Sequence, residues 1–178
     1  MKRNHSFDLL SCFPASAEPG KAFTSVTYSN LYFREPESRA DQTRMMSIVT
    51  TGAETGYYVD VFRSRKEKGG DKMHDYFYHN LGQTLTLTAA DGSDLNLQPT
   101  EELAFAGAHL YAYSYLYDKK VAATNKDVKA TFTIDMKDKD GDDIYMNLWM
   151  KGEPDREVFT ALAPMTEGLS RTPNMPYN

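Results

Sequence analysis

Cysteine is all but missing from the chain: Cys12 is the only one among 178 residues, so no disulfide can form within it. A disulfide-free domain is stable in either redox compartment, so this scarcity leaves the location open. Long apolar runs are missing too. No window approaches the roughly 20 apolar residues of a membrane-spanning helix. Phe7 to Phe13 follows Lys2 and Arg3, but Asp8 and Ser11 interrupt it and Pro14 ends it. It lacks the apolar length and small-residue cleavage site of a signal peptide. Positive charge is also short. Lys and Arg number 20 against 25 Asp and Glu, a formal charge of -5, which argues against the basic surface of a nucleic-acid binder. Tight binding of a polyanion such as heparin would need the basic residues gathered in one place. No stretch carries a sustained 3.6-residue apolar period, which excludes a helical bundle.

What is present is a β pattern. Hydrophobic residues make up 40% and charged ones 25%, the ordinary balance of a folded chain long enough for one domain with its own core. Ala22 to Tyr28 reads as a short strand. Met45 to Thr51 and Tyr57 to Ser64, rich in Val, Tyr and Phe, flank a Gly-Ala-Glu-Thr-Gly turn as a hairpin. Met73 to His79 reads as the next strand. In Gln83 to Thr88, Leu85 and Leu87 alternate with threonines, the mark of a half-buried strand. Residues 91–127 are less regular: Leu103 to His109 fits a single helical turn or a loop, and Tyr111 to Tyr117 fits a strand. Val128, Ala130, Phe132, Ile134 and Met136 alternate with polar residues, and Ile144, Met146, Leu148 and Met150 alternate back. Asp140-Gly141 in the turn between them is a strong hairpin signal. Arg156 to Ala163 adds a strand. The expected layout is an irregular lead-in over 1–24, an all-β antiparallel β-sandwich over 25–169, and an extended tail over 170–178 holding Pro173 and Pro176.

Three features that resemble known chemistry do not carry it. Asp138, Asp140, Asp142 and Asp143 suggest calcium, but an EF-hand with Gly141 in its sixth place would start on Met136 and end on Asn147. The cluster reads as a solvated turn. Gly69-Gly70 is followed by no Lys-Ser or Lys-Thr pair, so it is no phosphate loop. Cys12 has no base beside it in sequence.

The stretch from Tyr57 to His79 is different. Asp60 and Arg63 sit in a strand flanked by Val59, Val61 and Phe62, so at least one charge is expected to point into a packed layer and to need a partner. His74, Asp75 and His79 crowd the next strand and offer candidates. On a regular strand His74 and Tyr76 share one face, and Asp75, Phe77 and His79 share the other. His74 and His79 therefore do not converge on one metal, and four His with one Cys show no ligand spacing. Asp60, Arg63, His74, Asp75 and His79 are the candidate binding residues, set against a polar network that clamps two strands. On the clamp reading, Arg63→Ala lowers stability strongly.

This stretch, YYVDVFRSRKEKGGDKMHDYFYHN, resembles a signature in the C-terminal β-rich region of heparinase II/III-like polysaccharide lyases and their alginate lyase relatives. PTEELAFAGAHLYAYSYLYDKK, LWMKGEPDREVFTALAP and TPNMPYN are similar to later blocks of the same region, so the resemblance covers roughly residues 25–178. It implies β-elimination on a uronic-acid-containing polysaccharide: a base removes the C5 proton and the 4-linked sugar leaves. It also implies an α-helical toroid joined to a super-sandwich-like β region, with the catalytic Tyr, His and Asn or Glu drawn largely from the toroid and cleft. Zinc, in full-length members, is held by His and Asp residues upstream of the signature. Those motifs are missing here: no His-x-His block precedes the signature, and His5 precedes Ser6-Phe7 rather than Asn-Thr-Val.

The resemblance thus leads us to expect both ends truncated, no catalytic residue and no metal or other cofactor within this chain, and the charge and the lack of apolar runs lead us to expect no nucleic-acid or membrane partner. It implies a polysaccharide substrate and a missing toroid as partners, and a periplasmic or secreted parent enzyme. The expected role is a non-catalytic or substrate-lining part of a lyase. A free-standing carbohydrate-binding sandwich, stacking sugars on Trp149, Tyr111, Tyr113 and Tyr115, is the alternative. An autonomous lyase using His74 and a Tyr has an acid and a base but little room for a cleft.

Overall fold

The computed structural model describes residues 6–15, 25–36, 38–70, 73–102, 115–136 and 141–163. These residues are all-β and antiparallel, with no α-helix among them. They fall into two compact units, Met1–Phe77 and Tyr78–Asn178. The boundary lies inside the 25–169 stretch that the sequence suggests as one sandwich domain.

The first unit is a four-stranded meander, β1 (Asp8–Phe13), β2 (Val26–Arg34), β3 (Asp41–Thr50) and β4 (Gly56–Arg65), paired in that order. The β3–β4 hairpin expected from the sequence is present, closed by the Thr51 amide donating to the Thr55 carbonyl at 2.9 Å. Its register runs unbroken from Asp41↔Arg65 to Thr50↔Gly56. Because side chains alternate, Arg44, Met46 and Ile48 share a face with Phe62, Asp60 and Tyr58. Arg63 lies on the opposite face with Thr43.

Two expectations fail here. The lead-in over 1–24 is not wholly irregular, because β1 pairs with β2. Its register shifts between Leu9 and Ser11, and that extra residue erases the period-2 pattern by which a strand is read. Met73 to His79, in turn, forms no strand among its described residues, despite a strand-like composition. Side chains, not a backbone ladder, fasten its first half.

The second unit holds two three-stranded sheets. One pairs β5 (Thr84–Ala89), β8 (Val128–Ile134) and β9 (Ile144–Met150) in that order. The other pairs β10 (Glu157–Leu162), β7 (Tyr117–Ala123) and the two-residue β6 (Gln98–Pro99). The β8–β9 hairpin follows the expected alternation, from Val128↔Met150 to Ile134↔Ile144. Ala122 on β7, Val158 on β10 and Val128 on β8 form one buried cluster, against which Leu87, Leu95, Leu97 and Met150 pack. Residues from both sheets thus share one apolar centre, which is the sandwich arrangement. Strand β7 begins where Tyr111 to Tyr117 was expected to end, and most of that expected strand lies outside the described residues.

The core is thin: among the described residues no large side chain is fully buried. A far-UV circular dichroism spectrum should be β-dominated, and a pronounced helical double minimum would contradict this fold.

Candidate functional site

The best-connected ionic cluster sits on the even-numbered face of the β3–β4 hairpin. Arg44 reaches diagonally across the ladder to Asp60. Its Nε donates to Oδ1 at 3.0 Å and its Nη2 to Oδ2 at 2.6 Å, the two-pronged geometry that suits a guanidinium to a carboxylate. The Tyr76 hydroxyl donates to the same Oδ2 at 2.7 Å. Above it the Arg44 guanidinium carbon lies 5.9 Å from the Tyr76 ring centroid, and the Phe62 ring lies 5.6 Å away on the same strand face. His74 Nδ1 and Ser64 Oγ share a hydrogen bond at 2.8 Å. These contacts pin the segment around Tyr76 onto the sheet.

The Arg44 guanidinium holds the Asp60 carboxyl below its usual range, the Tyr76 hydroxyl helps, and partial burial opposes them. Asp60 is therefore an ionised acceptor already engaged by two partners. That suits a clamp and leaves a poor proton acceptor for acid–base chemistry.

Of the residues singled out from the sequence, the structure brings Asp60 and His74 to one face of the β3–β4 hairpin and sets Arg63 on the other. Arg63 is exposed on the opposite face and has no ion pair among the described residues. The expectation that at least one of Asp60 and Arg63 points into a packed layer is thus corrected: neither residue is buried, alternation sets the two on opposite faces, and Arg44 supplies the cation for Asp60. Asp75 is exposed, and His79 is exposed in the second unit. Arg44, Ser64 and Tyr76 are the residues that sequence reasoning left unassigned. The signal for Arg44 is present, since closing the hairpin at Thr50 and Gly56 sets it opposite Phe62 and beside Asp60.

A second surface lies on the outer face of the β5–β8–β9 sheet. The registers place three rows across it: Thr88, Lys129 and Trp149; Thr86, Thr131 and Asn147; Thr84, Thr133 and Tyr145. Trp149 is 63% exposed and Tyr145 59%. Lys129 Nζ stands 5.3 Å from the Trp149 ring centroid, and the Thr131 hydroxyl donates to Asn147 Oδ1 at 2.9 Å. Of the other aromatics suggested as a platform, Tyr115 is half-buried, and Tyr111 and Tyr113 lie outside the described residues, as do Asp138 and Asp140. No group of three or more His, Cys, Asp or Glu among the described residues could hold a metal.

No protein-family model matches the chain, and no solved structure matches it significantly. One stretch of 143 residues is 32% identical to part of an endo-acting ulvan lyase from Formosa agariphila. The match takes in 78% of this chain and 17% of the relative, so the chain corresponds to a small part of that protein. It establishes a relationship to a polysaccharide lyase.

Proposed function

We propose that the chain is a non-catalytic or substrate-lining β-sheet part of a polysaccharide lyase that cleaves a uronic-acid-containing glycan by β-elimination. The match to the ulvan lyase carries this reading, and ulvan is the substrate it favours. The heparinase II/III-like assignment rests on the Tyr57 to Asn80 signature and belongs to the same proposal. In the reaction a base takes the C5 proton, the electron pair forms the C4–C5 double bond, and the 4-linked sugar leaves with a proton from an acid. The groups doing this are assigned to the rest of the enzyme, as the resemblance implies, and the Arg44–Asp60–Tyr76 cluster is an occupied clamp.

A docking partner elsewhere in the parent enzyme, the α-toroid, is supported by the even-numbered face of the first unit. Phe7, Leu9, Met46, Ile48 and Tyr58 are all exposed there, between 43% and 73%. So many apolar side chains on one face are unusual for a surface meant for water. Zinc held outside this chain and a periplasmic or secreted setting complete the proposal, on the resemblance alone.

The test compares the 178-residue chain with a full-length enzyme that carries it, following the ultraviolet absorbance of unsaturated uronate product from ulvan. Product is expected from the full-length enzyme and none from the chain. Product from the chain alone, lost in His74→Ala with the fold intact, would make this an autonomous lyase.

A further inference from the structure

Resting on that reading, we propose that the outer face of the β5–β8–β9 sheet binds a segment of acidic polysaccharide, with Trp149 as the stacking platform and Lys129 as the anion contact.

Three properties of the face converge on this ligand. Trp149 is exposed although its alternate neighbours, Leu148 and Met150, turn to the inner side with Ala130 and Val128. A large indole in water gains nothing for folding there, while a flat ring is well suited to the apolar face of a pyranose. The rest of the face is built from short polar side chains: five threonines and Asn147 surround Lys129 within the three rows. Their hydroxyls and amide can exchange hydrogen bonds with sugar hydroxyls, and their small size keeps the surface flat. Charge selects among sugars. Lys129 is the only ionisable group with an ordinary charge in the nine grid positions, and it stands against the indole. A ring stacked on Trp149 would thus bring its carboxylate or sulfate close to an ammonium that makes no ion pair among the described residues.

The face also has a direction. Asp143 lies beyond Tyr145, whose hydroxyl donates to it at 3.4 Å. Lys151 lies beyond Trp149 but is paired with Asp127, its Nζ 2.9 Å away, so Lys129, against the indole, is the cation that faces a ligand at that end. The anion is therefore expected at the Trp149 end. Trp149 and Tyr145 are four residues apart on one strand, about 13 Å, so the platform is longer than a single sugar ring.

Affinity electrophoresis of the 178-residue chain through gels cast with alginate, polygalacturonate or heparin, against hydroxyethylcellulose as a neutral control, tests this. Retardation is expected on at least one acidic gel. Trp149→Ala should weaken it about tenfold, one aromatic contact's worth. Lys129→Gln should weaken it on the acidic gel, flatten its dependence on salt and leave the neutral gel unchanged. Both side chains are on the outer face, so unchanged melting of each variant verifies the fold. No retardation on any acidic gel, or retardation indifferent to both substitutions, overturns the proposal. Weakening by Trp149→Ala alone, with equal retardation on the neutral gel, overturns the acidic part. A failed gel beside a full-length enzyme that still makes unsaturated product would discard this face and leave the lyase reading standing.

Discussion

Gly152→Ala is expected to destabilise the second unit by about 3 kcal/mol or more. A Cβ at Gly152 would stand 2.2 Å from the Asn125 carbonyl oxygen and 2.7 Å from the Lys126 carbonyl carbon. Both are backbone atoms of the β7–β8 connection, so no side chain can swing aside. The clash would push that connection away from the one leading from β9 to β10. Trp149 is the only tryptophan in the chain, so its fluorescence during urea unfolding reports on this unit alone. The midpoint should fall sharply. Gly92→Ala separates crowding from backbone strain: Gly92 has φ +85° with nothing within 4 Å of a Cβ, and its substitution should cost only about 1–2 kcal/mol. Equal effects at the two glycines would refute the crowding argument.

The same junction is tied by charge. Arg156 Nη1 donates to the Lys151 carbonyl and Nη2 to the Lys126 carbonyl, both at 2.6 Å. Asp127 accepts from the Gly152 amide at 2.7 Å and from Lys151 Nζ. Lys151 and then the Gly152 amide hold the Asp127 carboxyl below its usual range. A carboxyl lowered by folding lends its stability above the unfolded value and loses it as pH falls through the folded one. Acid should thus loosen this junction. Close backbone approach and the guanidinium fork act on the same two loops, which is why a single methyl there is felt so strongly.

The two hairpins were legible in the sequence for a physical reason. The β3–β4 hairpin showed as two Val-, Tyr- and Phe-rich runs around a Gly-bounded turn, and in β8–β9, where one face is packed, apolar residues recur at every second position from Val128 to Ile134 and from Ile144 to Met150. Strand β1 was hidden because its register slips between Leu9 and Ser11. Strand β7 was hidden because its buried positions are Lys119 and Ala122, one of them charged, and Asp118 sits at φ 46°. The residues near Tyr76 have strand composition, but composition cannot tell a ladder from a segment held by side chains. The clamp was half legible. Asp60 was identified as needing a partner, but the partner came from the neighbouring strand, and only the hairpin register connects Arg44 to it. The outer face of β5–β8–β9 was legible as alternation, yet its three rows become one surface only when the pairing of β5 with β8 is known.

Arg44→Ala is expected to destabilise the first unit by about 1–2 kcal/mol, and Arg63→Ala by less than about 0.5 kcal/mol. The two residues are close in the sheet and chemically identical, so the contrast isolates their faces. Arg44 is 44% exposed and Asp60 25% at the side chain. Solvent screening therefore keeps the pair well short of the roughly 3–5 kcal/mol lost when a fully buried pair is broken. Tyr76→Phe removes only the hydroxyl bond, keeps the ring against Phe62, and should cost about 1 kcal/mol. Hydrogen exchange of the peptides covering β3 and β4 reads all three variants without depending on Trp149 in the other unit. The pH dependence gives an independent check. Asp60 is lowered chiefly by Arg44, so the clamp's contribution is full above the unfolded carboxyl value of about 4 and is lost as pH falls through the folded one. Arg44→Ala should remove that part of the acid sensitivity. If Arg63→Ala proved the more damaging change, the charged partner of Asp60 would lie on the other face and the β3–β4 register would be wrong. If instead Arg63→Ala left exchange untouched but abolished product formation in a full-length enzyme, Arg63 would be a substrate contact, most simply to a uronate carboxylate.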